Sequence, residues 1–165
     1  VAQTASVVTG LFKGFLRDPA TGIGPAVEQL AADTGIPAAA IPAARIVNQN
    51  VSVAISERAL AVIYPVVHVY SDQVKNLLTE KFRTFSGKIR TVAEVRVSQD
   101  RIEGIEDQLR LYADAVTQVL DANRGSWGQG VFFTGSYQVN FDPVTQGGKN
   151  FLQVARVSFE VDMSS

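Results

Sequence analysis

The segment Lys88–Ser98 constrains the fold most, because its side chains separate into two alternating sets. Ile89, Thr91, Ala93, Val95 and Val97 form one set, and Arg90, Val92, Glu94, Arg96 and Ser98 the other. Successive side chains of an extended chain point to opposite faces, so this spacing predicts a strand with one buried and one wet face. Phe151–Asp162 repeats the pattern, with Phe151, Ala155, Val157, Phe159 and Val161 on one side. Before it, Val131–Phe133 starts a strand, Thr134–Ser136 breaks or bulges it, and Tyr137–Phe141 resumes it. Asp142–Lys149, with Pro143, Gly147 and Gly148, reads as a hairpin loop joining the last two strands. A final strand of this length would leave an open sheet edge, and long exposed edges template pairing with another chain.

Helical spacing appears elsewhere. Val7, Val8, Leu11, Phe12 and Phe15 give Ala2–Leu16 an apolar stripe, which Asp18-Pro19 ends. Pro25 suits the first turn of a short helix reaching about Ala32, closed by Thr34-Gly35. Ala43–Ser56 is irregular or a strand. Leu60–Tyr70 is apolar and β-branched, as in a central strand covered on both faces. Ser71-Asp72 then reads as an N-cap for a helix over Gln73–Phe85, where Val74, Leu77, Leu78, Lys81 and Phe82 fall at helical spacing before Ser86-Gly87. Glu103–Asn123 is the clearest helix, with Ile105, Leu109, Ala113, Val116 and Leu120 in register and Glu103, Glu106 and Asp107 at its positive end. Together these predict an α+β fold: a mostly antiparallel sheet, helices packed on one face, and a C-terminal β-hairpin. The 165 residues fit a single domain, with an N-terminal helix and Ala/Pro-rich variable region over 1–58 and the α+β core over 59–165.

Composition narrows the function. Fifteen basic residues face sixteen acidic ones, and no basic block occurs, which disfavours general phosphate-driven nucleic-acid binding and membrane-surface binding. The longest strongly apolar run, Ala59–Val67, is too short to span a bilayer. Cysteine is absent, so neither a disulfide framework nor a thiolate metal site exists. His68 is the one histidine and lies mid-strand. It could be a general base or ligand, but a strand histidine with a satisfied hydrogen bond or a solvent-facing ring is the plainer reading, since no partner set accompanies it. The acidic residues Glu103, Glu106 and Asp107 could hold a divalent cation, but the helix dipole explains them without one. Gly125–Gly130 and Gln146–Lys149 are glycine-rich, yet neither follows a strand and opens a helix as a phosphate cradle must, so both are read as turns. No catalytic, cofactor-binding or metal-binding residue is therefore expected. Trp127 in the first of these loops is either tucked under the sheet or offered to a partner as an interface anchor.

Several segments, read together, bear a likeness to a known family. Val67–Asp72 (VHVYSD), Thr84–Gly87 (TFSG), Ala93–Ser98 (AEVRVS), Tyr112–Leu120 (YADAVTQVL), Trp127, Tyr137–Phe141 (YQVNF) and Phe151–Val157 (FLQVARV) resemble, in order and texture, the tail-terminator and neck (head-tail joining) proteins of tailed bacteriophages. The likeness covers roughly Pro65–Val161 and leaves the first sixty residues aside. It implies a non-enzymatic structural protein of the virion tail or neck, assembled in the host cytoplasm without cofactor or membrane. It implies a homo-oligomeric ring, usually hexameric, at the head-proximal end of the tail. Such a ring stops tube polymerisation, touches the tail tube protein and the neck or connector protein, and lets DNA pass through its lumen without specific binding. A closed ring needs a heterologous contact whose rotation closes. The expected interface residues are Trp127, Gln129, Gln146, Lys149 and Asn150, together with the open sheet edge. The alternatives are another neck protein (stopper, adaptor or head-completion), a small α+β ligand-binding domain or enzyme, and a nucleic-acid binder.

Overall fold

The computed structural model describes residues 4–52, 63–147 and 149–165. In chain order the elements are α1 (Thr4–Arg17), α2 (Ile23–Thr34), a 3-10 turn (Ala43–Arg45), β1 (Ile46–Val47), β2 (Val66–Asn76), β3 (Ser86–Gln99), α3 (Ile105–Ala122), β4 (Gly125–Gly128), β5 (Val131–Phe133), β6 (Tyr137–Phe141), β7 (Thr145–Gly147) and β8 (Asn150–Ser164). The fold is α+β, with a curled, mixed and mostly antiparallel sheet in the order β1-β2-β3-β8-β5-β4, and with β6 and β7 also laid against β8.

The alternation around Ala93 sets the architecture. β3 pairs with β8 from Ser86↔Ser164 to Gln99↔Phe151, the longest ladder in the molecule. Ile89, Ala93, Val95 and Val97 of β3 share one face with Val157, Phe159 and Val161 of β8 and with Val67 and Val69 of β2. Onto that face fall the stripes of α1 (Val8, Phe12, Leu16) and α3 (Leu109, Tyr112, Val116, Leu120), so the helices cover one side of the sheet. Burying each large side chain stabilises the fold by about 1.5–3 kcal/mol. The first helices belong to this same core, since α2 adds Ile23 and Val27. The turn between α1 and α2 is held by Asp18, whose Oδ1 accepts from the N–H groups of Ala20 (2.8 Å) and Thr21 (3.1 Å). Those bonds hold its carboxyl below the usual aspartate value. Gly35 closes α2 in the left-handed region (φ 73), as the Thr34-Gly35 pair predicts.

The structure corrects several expectations. Gln73–Phe85 is not a helix: β2 runs on to Asn76, with a bulge at Asp72, and pairs Val74 with Ile89 and Asn76 with Gly87. Extending the ladder satisfies backbone groups on β3 as well as on β2, whereas a helix would satisfy only its own. The strand expected from Leu60 begins at Val66 (residues 60–62 lie outside the described set), and only its first half is covered on both faces. The face of β3 expected to be wet is dry in the middle, where Val92, Glu94 and Arg96 are buried. The final strand is not an edge, because β3 flanks it on one side and β5, β6 and β7 on the other. The Gly125–Gly130 loop is instead a tight hairpin, β4 to β5, turning through Gln129 (φ 53) and Gly130 (φ 78). Within Ala43–Ser56 the strand shrinks to Ile46–Val47, and Val53 and Ile55 fall outside the described residues, as does Gly148 of the last hairpin.

Candidate assembly surfaces

The face of the sheet turned away from the helices carries a buried charge network. Glu94 of β3 stands opposite His68 of β2 and Arg156 of β8. Its Oε1 accepts from Tyr70 Oη (3.0 Å) and Arg156 Nε (2.9 Å), and its Oε2 from Arg96 Nε (2.6 Å). Arg96 also donates to the Val51 carbonyl, so the segment beyond β1 crosses this face. Arg156 Nη1 reaches Asp142 Oδ2 at 2.7 Å, which ties the β6–β7 corner to the network. Burial, and then the charge of and bond to Glu94, push the Tyr70 hydroxyl up to about 12. Burial and the Arg96 charge lower the His68 pKa, and Nδ1 of that ring has no hydrogen-bond partner. His68 is thus neither solvent-facing nor fully satisfied, against expectation. These groups are locked to one another and pin the sheet's outer layer in place.

The loop from Leu77 to Phe85 exposes what the rest of the chain hides. Leu77, Leu78 and Phe82 are 51%, 63% and 102% exposed, and Phe132 of the adjoining β4–β5 hairpin is 48% exposed. Leu78 (φ 49) and Phe82 (φ 64) both occupy the left-handed region, which bulky side chains avoid. The loop is nevertheless fastened. Asn76 Oδ1 accepts from Leu78 N (3.3 Å) and Ser86 N (3.2 Å), Leu77 N donates to Ser86 O (3.0 Å), and Thr84 N and Phe85 N donate to Ser165 O (both 3.1 Å). Its apolar side chains are therefore held out by bonded backbone. Lys75, Lys81 and Arg83 neighbour them in the chain, and Glu80, Lys88 and Asp162 line the hollow between Leu77 and Phe132.

A second apolar feature lies among the helices. Leu16, Ile23, Val27, Ile41 and Ile46 floor a cavity of about 570 Å³ between the end of α1, α2 and the 36–46 segment. Gly24, Ala31 and Ala38 line its mouth. No Lys or Arg occurs from Asp18 to Ala44, whereas Asp18, Glu28 and Asp33 do. The nearby Arg17 has its guanidinium turned to the Ile46 carbonyl (2.6 and 3.1 Å).

The residues expected at an interface do not gather. Trp127 is buried, T-stacked on Phe15 and Phe159 and in contact with Phe12 and Phe133, and its Nε1 donates to Asn123 O at 2.6 Å. It anchors the core, so the interface role expected of it is corrected. Gln129 is exposed at the β4–β5 turn, beside the carboxyl end of β8. Gln146, Lys149 and Asn150 are exposed at the opposite end of β8. Gln146 pairs with Phe151, and Gln129 lies two residues before Val131, which pairs with Met163; these partners are twelve positions apart on β8, about 40 Å of strand at ~3.3 Å per residue. They mark two ends of the subunit rather than one patch. Leu77, Leu78 and Phe82 escaped sequence reasoning because their spacing mimics a buried helical stripe; the signal was a stripe flanked by cations with no facing partner. With the final strand central, the open sides of the sheet among the described residues are those of β1, β4, β6 and β7, and of β2 over Asp72–Asn76.

Glu106 and Asp107 open α3, and Glu106 pairs with Arg110 at 3.4 Å. Among the described residues no group of three His, Asp or Glu is placed to hold a metal ion, and no helix is long and apolar enough to cross a membrane. No protein-family model matches the chain, and no curated protein matches it in sequence.

Proposed function

We propose that the chain is a ring-forming structural subunit of a tailed-bacteriophage particle, a tail terminator at the head-proximal end of the tail that stops tube polymerisation and joins tail to neck. The observation that carries this reading is the exposed apolar loop Leu77–Phe85, held out by hydrogen bonds rather than folded onto the core. A monomer has no use for leucine and phenylalanine side chains presented in a conformation they disfavour, and contiguous exposed apolar groups mark contact sites between proteins. Gln129, and Gln146, Lys149 and Asn150, are exposed at opposite ends of β8, an arrangement compatible with separate contacts to a tube and a neck. The net charge of −1 suits a lumen that lets DNA slide, since phosphate contacts would hold it.

The test is the mass of the purified protein by light scattering, with electron microscopy of the same fractions. Rings of about six copies of the 17.8 kDa chain support the reading. A monomer at every concentration that also fails to cap preformed tail tubes would sink it.

A further inference from the structure

We infer that the Leu78–Phe82 loop of one copy inserts into the apolar cavity beside α2 of the next copy, and that this knob-in-pocket joint closes the ring. The inference rests on the ring reading above and gives it a specific joint.

A knob and a pocket occur on one chain at different places. The pocket floor includes Ile46, which pairs with Val67 on β2. Leu77 follows the far end of that strand, ten residues beyond Val67, a chain path of about 33 Å at ~3.3 Å per residue. A subunit cannot reach its own pocket, so the pair can be satisfied only by a neighbour. Such a contact is made either reciprocally across a twofold axis or head to tail, and only the second, repeated, generates a ring or a filament. A reciprocal twofold dimer would fill both pockets and stop at two copies, so the ring reading selects the head-to-tail arrangement.

Size and charge point to the same occupant. The cavity of about 570 Å³ has room for an aromatic ring and a leucyl side chain together. Lys75, Lys81, Arg83 and Lys88 outnumber Glu80 and Asp162 around the knob, while the pocket lining carries Asp18 and Glu28 against Arg17, whose guanidinium is turned to the Ile46 carbonyl. Like copies thus meet cation to carboxylate at the rim and apolar to apolar at the centre, the arrangement that orients and then holds an interface. The fixed loop backbone reduces the ordering cost of docking.

The chain has no cysteine, which makes cross-linking clean. Thr79→Cys places a thiol between Leu78 and Phe82. Gly24→Cys places one at the pocket mouth, where an added Cβ meets nothing within 4 Å. Under mild oxidation a mixture of the two single variants should give a disulfide-linked dimer, and neither variant should do so alone. The double variant should give a ladder ending at the closed ring, and a product that stops at two copies would assign a reciprocal twofold contact and overturn the ring joint. Adding Phe82→Glu to Thr79→Cys should cut the cross-link yield by about tenfold or more, as loss of a central anchor does. Rings without the mixed cross-link would overturn the joint, leaving the ring reading intact and the knob to a different protein or the cavity to a small molecule. Self-linking of Thr79→Cys alone would assign the knob to an isologous contact and overturn it too. Neither rings nor cross-links, with no capping of preformed tail tubes, would overturn joint and ring reading together.

Discussion

Glu94 and Arg156 face each other directly across the β3–β8 ladder, and Arg156 Nε donates to Glu94 Oε1 at 2.9 Å. The two partners differ in burial: the Glu94 side chain is 5% exposed and that of Arg156 is 37% exposed. Arg96, only 2% exposed, leans on the other oxygen of the same carboxylate. Removing Glu94 therefore takes away the carboxylate that faces a buried guanidinium, whereas removing Arg156 leaves Glu94 still paired with Arg96. We expect Glu94→Gln to lower stability by about 3 kcal/mol. Arg156→Gln should cost about 1 kcal/mol, because water already screens that pair. Urea unfolding midpoints would check this, and equal losses would mean that Glu94 does not organise the network.

His68 makes stability depend on pH. Its folded pKa lies below the ordinary value of 6.5, from burial first and the Arg96 charge second. Above that ordinary value the ring is neutral in both states and stability is complete. As pH falls through 6.5 the unfolded chain takes up a proton that the folded chain refuses, so stability declines until the lower folded pKa is reached. His68→Gln should flatten the decline between neutral pH and the onset of carboxylate titration. A variant with an unchanged slope over that window would assign the decline to other groups.

Trp127 reports on folding. Its ring is wedged among Phe12, Phe15, Phe133 and Phe159, so Trp127→Ala should cost about 3–5 kcal/mol. Trp127→Phe keeps the packing but frees Asn123 O of its 2.6 Å partner, an expected loss of about 1–2 kcal/mol. Differential scanning calorimetry separates the two. An alanine variant as stable as the parent but unable to assemble would restore the interface role instead.

Gly87 sits at the base of the apolar loop, opposite Asn76, and a Cβ there would overlap the Lys75 carbonyl oxygen. Gly87→Ala should force β2 and β3 apart at that end, costing about 1–3 kcal/mol. Hydrogen exchange of the Leu77 amide, which donates to Ser86 O, should accelerate while that of β3 near Val95 holds. Unchanged protection at Leu77 would show that the loop is anchored elsewhere.

Periodicity made much of this protein legible in its sequence. The alternation of Lys88–Ser98 and of Phe151–Asp162 gave β3 and β8, and the three-and-four spacing of Ile105 to Leu120 gave α3, because burial of one face imposes its period on any sequence that packs there. Pro19 and Gly35 punctuated the first two helices for equally local reasons. Tertiary structure decided what pattern could not. Val74, Leu77, Leu78 and Phe82 have helical spacing, yet Val74 lies on β2 and the others on the loop beyond it, because the β3 backbone was available to pair with β2 and no apolar surface was available to cover a helix. Glu94 and Arg96 read as solvent-facing, yet they are buried, because Arg156, Tyr70 and the Val51 carbonyl arrive from distant parts of the chain to satisfy them. Sequence alone thus determined the elements whose stabilising contacts are periodic and local, while the fate of each unpaired polar or apolar group was decided by partners that only the folded chain brings within reach.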